Sequence, residues 1–596
     1  MNSLPKREEI DKKYKWHLED IYSSDDEWEE DFKRLKDMIP AMEGYKGGLN
    51  SADNLYNALK LRDEISRLAE RLFTYARMRR DEDNANAKYQ ALADRAMSLI
   101  IEVQSVLSFI VPEILAIPAD EVYGYMTEKP ELELYRHYID DIMRQKAHVL
   151  SASEERILAQ AGEMAEAADT IFTMINDADI KFPSIKDENG DEVELTKGRY
   201  MQFMESQDRR VRKDAFEALY DTYGKLKNTL SATLSSSVKK DIFFSRVRKY
   251  PSSLAASLDD DNVPASVYDG LIKAIHDNMD LMYRYVKLRK KMLGVDELHM
   301  YDLYVPLVPD INIKVSYEEA VDRVLEGLRP LGEEYISLLE HGFKNGWIDV
   351  YENQGKTSGA YSWGCYGVHP FVLLNFQGRL DDIFTIAHEM GHSLHTHYSF
   401  STQPYIYAEY RIFVAEVAST LNEALLMDHM LKTTDERSMK LYLINHYLEQ
   451  FRGTVYRQTM FAEFEKIVHD KAEIGESLTP DMMSSIYHNL NEKYYGQDIV
   501  VDDRIDLEWS RIPHFYSSFY VYKYATGFSA ATALSQQILS EGKPAVDRYI
   551  NFLKSGGSDY PIELLKKAGV DMTTPKPVEA ALKVFAGLLD QMESMI

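Results

Sequence analysis

His388-Glu389-Met390-Gly391-His392 sets two histidines four residues apart, with a glutamate beside the first. On a helix, residues four apart share a face, so both imidazoles can grip one metal ion. Glu389 then stands next to that ion, placed to take a proton from a metal-bound water. H-E-x-x-H is the pattern of zinc hydrolases. The approach to the motif reads as helix. In Leu380-Asp-Asp-Ile-Phe-Thr-Ile-Ala387, residues Ile383, Ile386 and Ala387 recur at helical spacing, and Asp381 and Asp382 suit a helix N-terminus. Gly378 breaks the chain upstream, after the apolar run Val372-Leu-Leu-Asn-Phe376. The sequence predicts a partly buried helix that follows a strand. Buried histidines need partners, and a metal ion is one.

A catalytic zinc site usually takes three protein ligands and leaves one position for water. Two histidines leave one ligand to find. One source is a further histidine in the extension H-E-x-x-H-x-x-G-x-x-H. Here the glycine position holds His395 and the last position holds Tyr398, so that type is excluded. The other source is a glutamate on a second helix. Ile412 to Leu426 is an apolar helical stretch carrying Glu416 and Glu423, seven apart and on one face. An ionised glutamate on so apolar a helix needs a partner. His395 and His397 are not needed as ligands and are read as structural.

The elements that must position these groups are mostly helical. Ile65, Leu68, Leu72 and Tyr75 follow the helical period, and so do residues 91–106, 153–176, 214–223, 317–341, 438–469 and 544–555. Strand signals are few. Ile180 to Ile185 and Glu192 to Thr196 flank Asn189-Gly190, a strong hairpin turn. Gly367 to Phe376 is the other strand signal, and Phe371 to Phe376, with Leu373 inside it, is expected to form an edge strand. A peptide can add to such an edge through backbone hydrogen bonds. Ser358 to Gly367 is rich in glycine and aromatics and predicts a loop, with Gly359 placed to cover substrate. The expectation is a mainly α-helical body with a small β element beside the site. It divides into an N-terminal helical region, 1–198, ending in the hairpin, and a catalytic region, 199–596.

Bulk properties narrow the class. The 596 residues are 45% apolar and 28% charged, ordinary for a globular protein. A net charge of −28 makes nucleic acid and anionic membranes poor partners. No run of 18 apolar residues predicts a membrane span, and the first ten residues carry no apolar leader. Cys365 stands alone, which fits a reducing cytoplasm.

Several segments together resemble the thimet oligopeptidase family of zinc metallopeptidases, in its oligoendopeptidase F branch. They are Phe384 to His395, Phe413 to Glu423, Ser358 to Trp363, His369 to Gly378, Pro513 to Tyr516 and Tyr520 to Gly527. The N-terminal Tyr14 to Tyr22 and the hairpin at Asn189-Gly190 are similar too, so the resemblance spans nearly the whole chain. It implies a helical fold enclosing a deep substrate channel, with one zinc ion held by His388, His392 and Glu416. It implies Glu389 as general base and acid in cleavage of internal bonds of short, unfolded oligopeptides. A histidine and tyrosines that bind substrate and the oxyanion map to His514 and to Tyr520, with Tyr516 and Tyr524 a helical turn to either side. Some zinc hydrolases carry an aspartate four residues after the glutamate ligand. Here that position is Thr420, which leaves Glu423 or Asp381 to orient a histidine. A carboxypeptidase on a related scaffold and a non-catalytic peptide binder are the competing readings.

Overall fold

The computed structural model describes residues 4–308 and 314–596; Met1 to Ser3, within the ten residues expected to carry no apolar leader, lie outside them. Helices dominate, joined by short 3-10 and π segments, and the strands among the described residues are two or three residues long. Contacts group the chain into two units, each built from three separated stretches. One unit takes residues 1–149, 312–429 and 534–569; the other takes 150–311, 430–533 and 570–596. The predicted division at 198/199 runs along the chain, whereas these units interleave along it.

Most predicted helices are present, with breaks where local chemistry demands them. The 317–341 period is cut into Tyr317–Gly327 and Glu333–Lys344. Pro330 and Gly332, at φ +89°, lie between them. Proline lacks the donor a helix needs, and glycine adopts the left-handed turn at little cost. A π segment, Phe451–Tyr456, interrupts the 438–469 stretch. Ala87–Leu107 buries Leu92, Ala96, Leu99 and Val103 and packs against Ala52–Glu82. Within Ala87–Ala116 one 18-residue window reaches a mean hydropathy of 1.8, long and apolar enough to cross a membrane by length and composition alone.

The hairpin forms as predicted, in shorter form. Ser184–Lys186 pairs antiparallel with Glu192–Glu194, Ser184 opposite Glu194. Its turn spans five residues, with Gly190 at φ +87°.

The sheet beside the motif corrects the edge-strand expectation. Its order is Ile348–Asp349, Phe371–Leu373, Tyr361–Trp363, so the predicted edge is the central strand. It pairs parallel with Ile348–Asp349 and antiparallel with Tyr361–Trp363. Phe371, Val372 and Leu373 are all buried. Leu373 therefore has neither a free backbone edge nor an accessible side chain to give a substrate. The outer strand instead lies in the segment predicted as a loop. Lys356, fully buried, ties this sheet together: its ammonium donates to the carbonyls of Tyr351 (2.7 Å) and Leu374 (2.5 Å) and pairs with Asp349 at 2.7 Å.

Candidate active site

Leu380–Thr402 is one 23-residue helix and carries the whole motif. Asp382 caps its start, accepting from the amides of Gln377 (3.0 Å) and Arg379 (2.8 Å). Gly378, at φ +78°, makes the preceding turn. The outer strand braces the helix through Ser362 and Ser393, whose hydroxyls are 2.8 Å apart.

The second helix, Ile412–Thr433, crosses the first at very close range. Gly391 makes this possible. A Cβ there would lie 2.6 Å from Ser419 Cα and 2.7 Å from the Ala418 carbonyl. Alanine normally favours a helix over glycine by up to about 1 kcal/mol. Here Gly391→Ala is expected to destabilise instead, by about 1–3 kcal/mol, because the helices must part. Thermal unfolding reads the sign; a stabilised variant would contradict the close crossing.

That crossing brings three side chains to one point. Glu416 Oε2 lies 3.4 Å from His388 Nε2 and 3.5 Å from His392 Nε2. Ligands bonded at 2.0–2.2 Å to a tetrahedral ion stand roughly 3.3–3.6 Å apart, so the donor set fits one metal ion. His388, His392 and Glu416 each offer one atom to it. Ser419 Oγ donates to Glu416 Oε2 at 3.0 Å and steadies the carboxylate.

Behind the ligands, Glu423 Oε1 lies 2.5 Å from His388 Nδ1. A carboxylate on Nδ1 fixes the ring and leaves Nε2 for the ion. Of the two sequence candidates, the structure thus places Glu423 on His388. The neighbouring Asn422 donates to the Ala387 carbonyl (3.0 Å) and accepts from Tyr335 Oη (2.9 Å), locking the helices together beside the motif. Glu423→Gln is expected to weaken metal binding about 10–100-fold. Metal titration of the purified variant tests this; unchanged affinity would make the contact incidental.

The electrostatics favour a cation here. Burial opposes charge on His388, but hydrogen bonds to Glu416 and Glu423 outweigh it and raise its pKa to about 10. Burial likewise opposes charge on Glu416, yet His388 and His392 hold it well below the usual carboxylate range. Glu389 is buried, which pushes its carboxyl up while the two histidines pull it down.

Residues 202–584 match peptidase family M3, and residues 113–182 match the Oligopeptidase F family. The chain belongs to peptidase family M3. It is 53% identical to Oligopeptidase PepF of Bacillus subtilis over 596 residues, which cover all of this chain and 89% of that protein. With the Oligoendopeptidase F homolog of Lactococcus lactis it shares 41% over 592 residues, 99% of this chain and 98% of the other. The crystal structure of oligoendopeptidase-F from Enterococcus faecium superposes with a TM-score of 0.75 at 40% identity, covering 96% of this chain and 99% of that one. This M3 enzyme is a metal-dependent oligopeptidase that hydrolyses peptide bonds.

The remaining predicted residues of the M3 chain fall in distinct settings. Gly359, at φ +84°, lines a pocket of 280 Å³ with Ala360, Phe376, Asp382, Thr385 and Ile386. Asp382, Thr385, Ile386 and Glu389 follow helical spacing on one face, so the pocket opens one turn from the glutamate. His395 stacks on Tyr410 at 3.7 Å, and burial depresses its pKa to about 3, as a structural histidine requires. Cys365 is buried, and burial pushes its thiol up to about 12, which makes it inert.

His514, Tyr520 and Tyr524 belong to the other unit and cluster there. Tyr524 Oη is 3.3 Å from His514 Nε2, and the Tyr520 ring lies near-parallel to His514 at 6.1 Å. Burial, then nearby Arg457, depresses the His514 pKa. Tyr516 is set apart from them. It is buried, stacks on Phe172 at 4.3 Å, and its hydroxyl is 2.7 Å from Thr233 Oγ1. With ring and hydroxyl both engaged, Tyr516 is a packing residue. Sequence reasoning missed the outer strand Tyr361–Trp363, whose alternation is too short to register, and Asn422, which reads as an ordinary polar helix position.

Proposed function

We propose that this protein is a zinc endopeptidase cutting internal bonds of short, unfolded oligopeptides in the cytoplasm. The observation that carries the reading is the convergence of His388, His392 and Glu416 on one point, with Glu389 adjoining it. Two imidazoles and one carboxylate are a donor set that would hold zinc. Bound there, zinc supplies the charge that acidifies a water and polarises a carbonyl. Glu389 takes the water proton at its carboxylate and later gives it to the leaving amine. Its burial keeps that proton from bulk solvent. His514 and Tyr520 donate to the substrate carbonyl oxygen as charge develops on it, with Tyr524 holding His514.

The exposed edge for backbone pairing is assigned to Tyr361–Trp363, the outer strand, in place of Phe371 to Phe376. Backbone pairing binds many sequences alike. The pocket beside Gly359 takes one substrate side chain, and its walls of Ala360, Phe376 and Ile386 favour an apolar one.

Digestion of a mixed oligopeptide library, read by mass spectrometry, tests the reading. Internal cuts are expected. Stepwise loss from the C-terminus would instead make it a carboxypeptidase, and binding without cleavage a peptide-binding module.

A further inference from the structure

Phe519 adopts φ +50°, in the left-handed region. For a bulky residue this is an outlier, held only where the surroundings impose it. The residue stands immediately before Tyr520, between the 3-10 turn Pro513–Tyr516 and the helix Tyr522–Glu541. Turn hydrogen bonds run from the Ser517 amide to the His514 carbonyl (3.0 Å) and from the Tyr520 amide to the Ser517 carbonyl (3.1 Å). The left-handed residue thus reverses the chain between His514 and Tyr520 and sets how the two side chains, with Tyr524, come together.

Four contacts impose that conformation. The Phe519 ring is buried against His469 (4.5 Å) and Tyr268 (5.8 Å). Ser257 Oγ donates to the Ser518 carbonyl at 2.8 Å. The Phe519 amide itself donates to Glu465 Oε1 at 2.6 Å. Glu465 is 3% exposed, on the helix Arg457–Glu473, and its Oε2 has no hydrogen-bond partner. A carboxyl so deeply buried has one use evident in its surroundings, the amide of the strained residue.

We infer that Glu465 is a positioning residue for His514, Tyr520 and Tyr524, acting through the left-handed turn at Phe519. The inference rests on the substrate-binding role proposed for His514 and Tyr520. Burial, foremost, raises the Glu465 pKa well above the carboxylate range, with Asp241 adding to it and the Phe519 amide opposing it. Glutamine keeps an acceptor oxygen for the Phe519 amide and can replace the carboxyl, while leucine cannot.

The test is a double-mutant cycle on the full-length, metal-loaded enzyme, with kcat and KM measured on an internally quenched peptide. Misplacing a catalytic group by 1 Å can cost about 100-fold. Glu465→Leu is expected to lower kcat about 10–100-fold with metal content unchanged, and Glu465→Gln to stay within about threefold of the parent. In a Tyr520→Phe background, Glu465→Leu should cost less than in the parent, since the share of its effect that passes through Tyr520 is already gone and only that through His514 remains. Multiplicative losses in the double variant, or equal losses in the Gln and Leu variants, overturn the inference alone. Undiminished kcat in Tyr520→Phe overturns the substrate-binding reading, and this inference with it. If Glu465→Leu does not fold, Glu465→Asp withdraws the acceptor by one methylene and is read in the same cycle.

Discussion

Glu389→Gln is expected to bind metal normally and to lose peptide hydrolysis, with kcat falling by about 10²–10⁴. Glutamine matches glutamate in shape, so the buried position one residue after His388 stays filled. His388, His392 and Glu416 keep their donor atoms, and Glu423 keeps His388 oriented. What disappears is a carboxylate able to accept a proton and return it. KM should change little, because the outer strand and the pocket beside Gly359 are untouched. Elemental analysis together with initial rates checks both halves. Full activity in a metal-replete variant would remove Glu389 from proton transfer.

The sequence made some of this legible and concealed the rest for physical reasons. The motif helix declares itself through spacing, since a 3.6-residue period is written in the order of residue types, and the Glu416 helix through an apolar stretch that carries two glutamates seven apart. Sheet order is not written that way. Val372-Leu-Leu is a continuous apolar run, the mark of a strand buried on both faces, and its place at the centre agrees. Its parallel neighbour Ile348–Asp349 is two residues long, far too short for any periodic signal. Glu423 was visible as a residue on the ligand face, but choosing it over Asp381 required the crossing of two helices. Phe519 was illegible for a different cause. Phenylalanine carries no preference for left-handed backbone, so only tertiary contacts with Glu465, His469 and Tyr268 put it there.

Glu416→Ala should have a still broader effect, removing the metal and the activity together. The two imidazoles would remain, but Glu423 cannot take over the lost position. It already holds Nδ1 of His388, on the far side of the ring from Nε2, and leaving that contact would free the ring it orients. The loss of affinity should therefore exceed the 10–100-fold expected when an orienting partner alone is changed. Stability supplies a readout independent of catalysis. An ion bound at about 100 times its dissociation constant adds about 2.7 kcal/mol to the folded state. Chelation should lower the melting temperature of the parent enzyme and leave Glu416→Ala unmoved, because that variant has no bound ion to lose. Equal shifts in the two proteins, or one metal ion retained per chain after dialysis of the variant, would strike Glu416 from the ligand set.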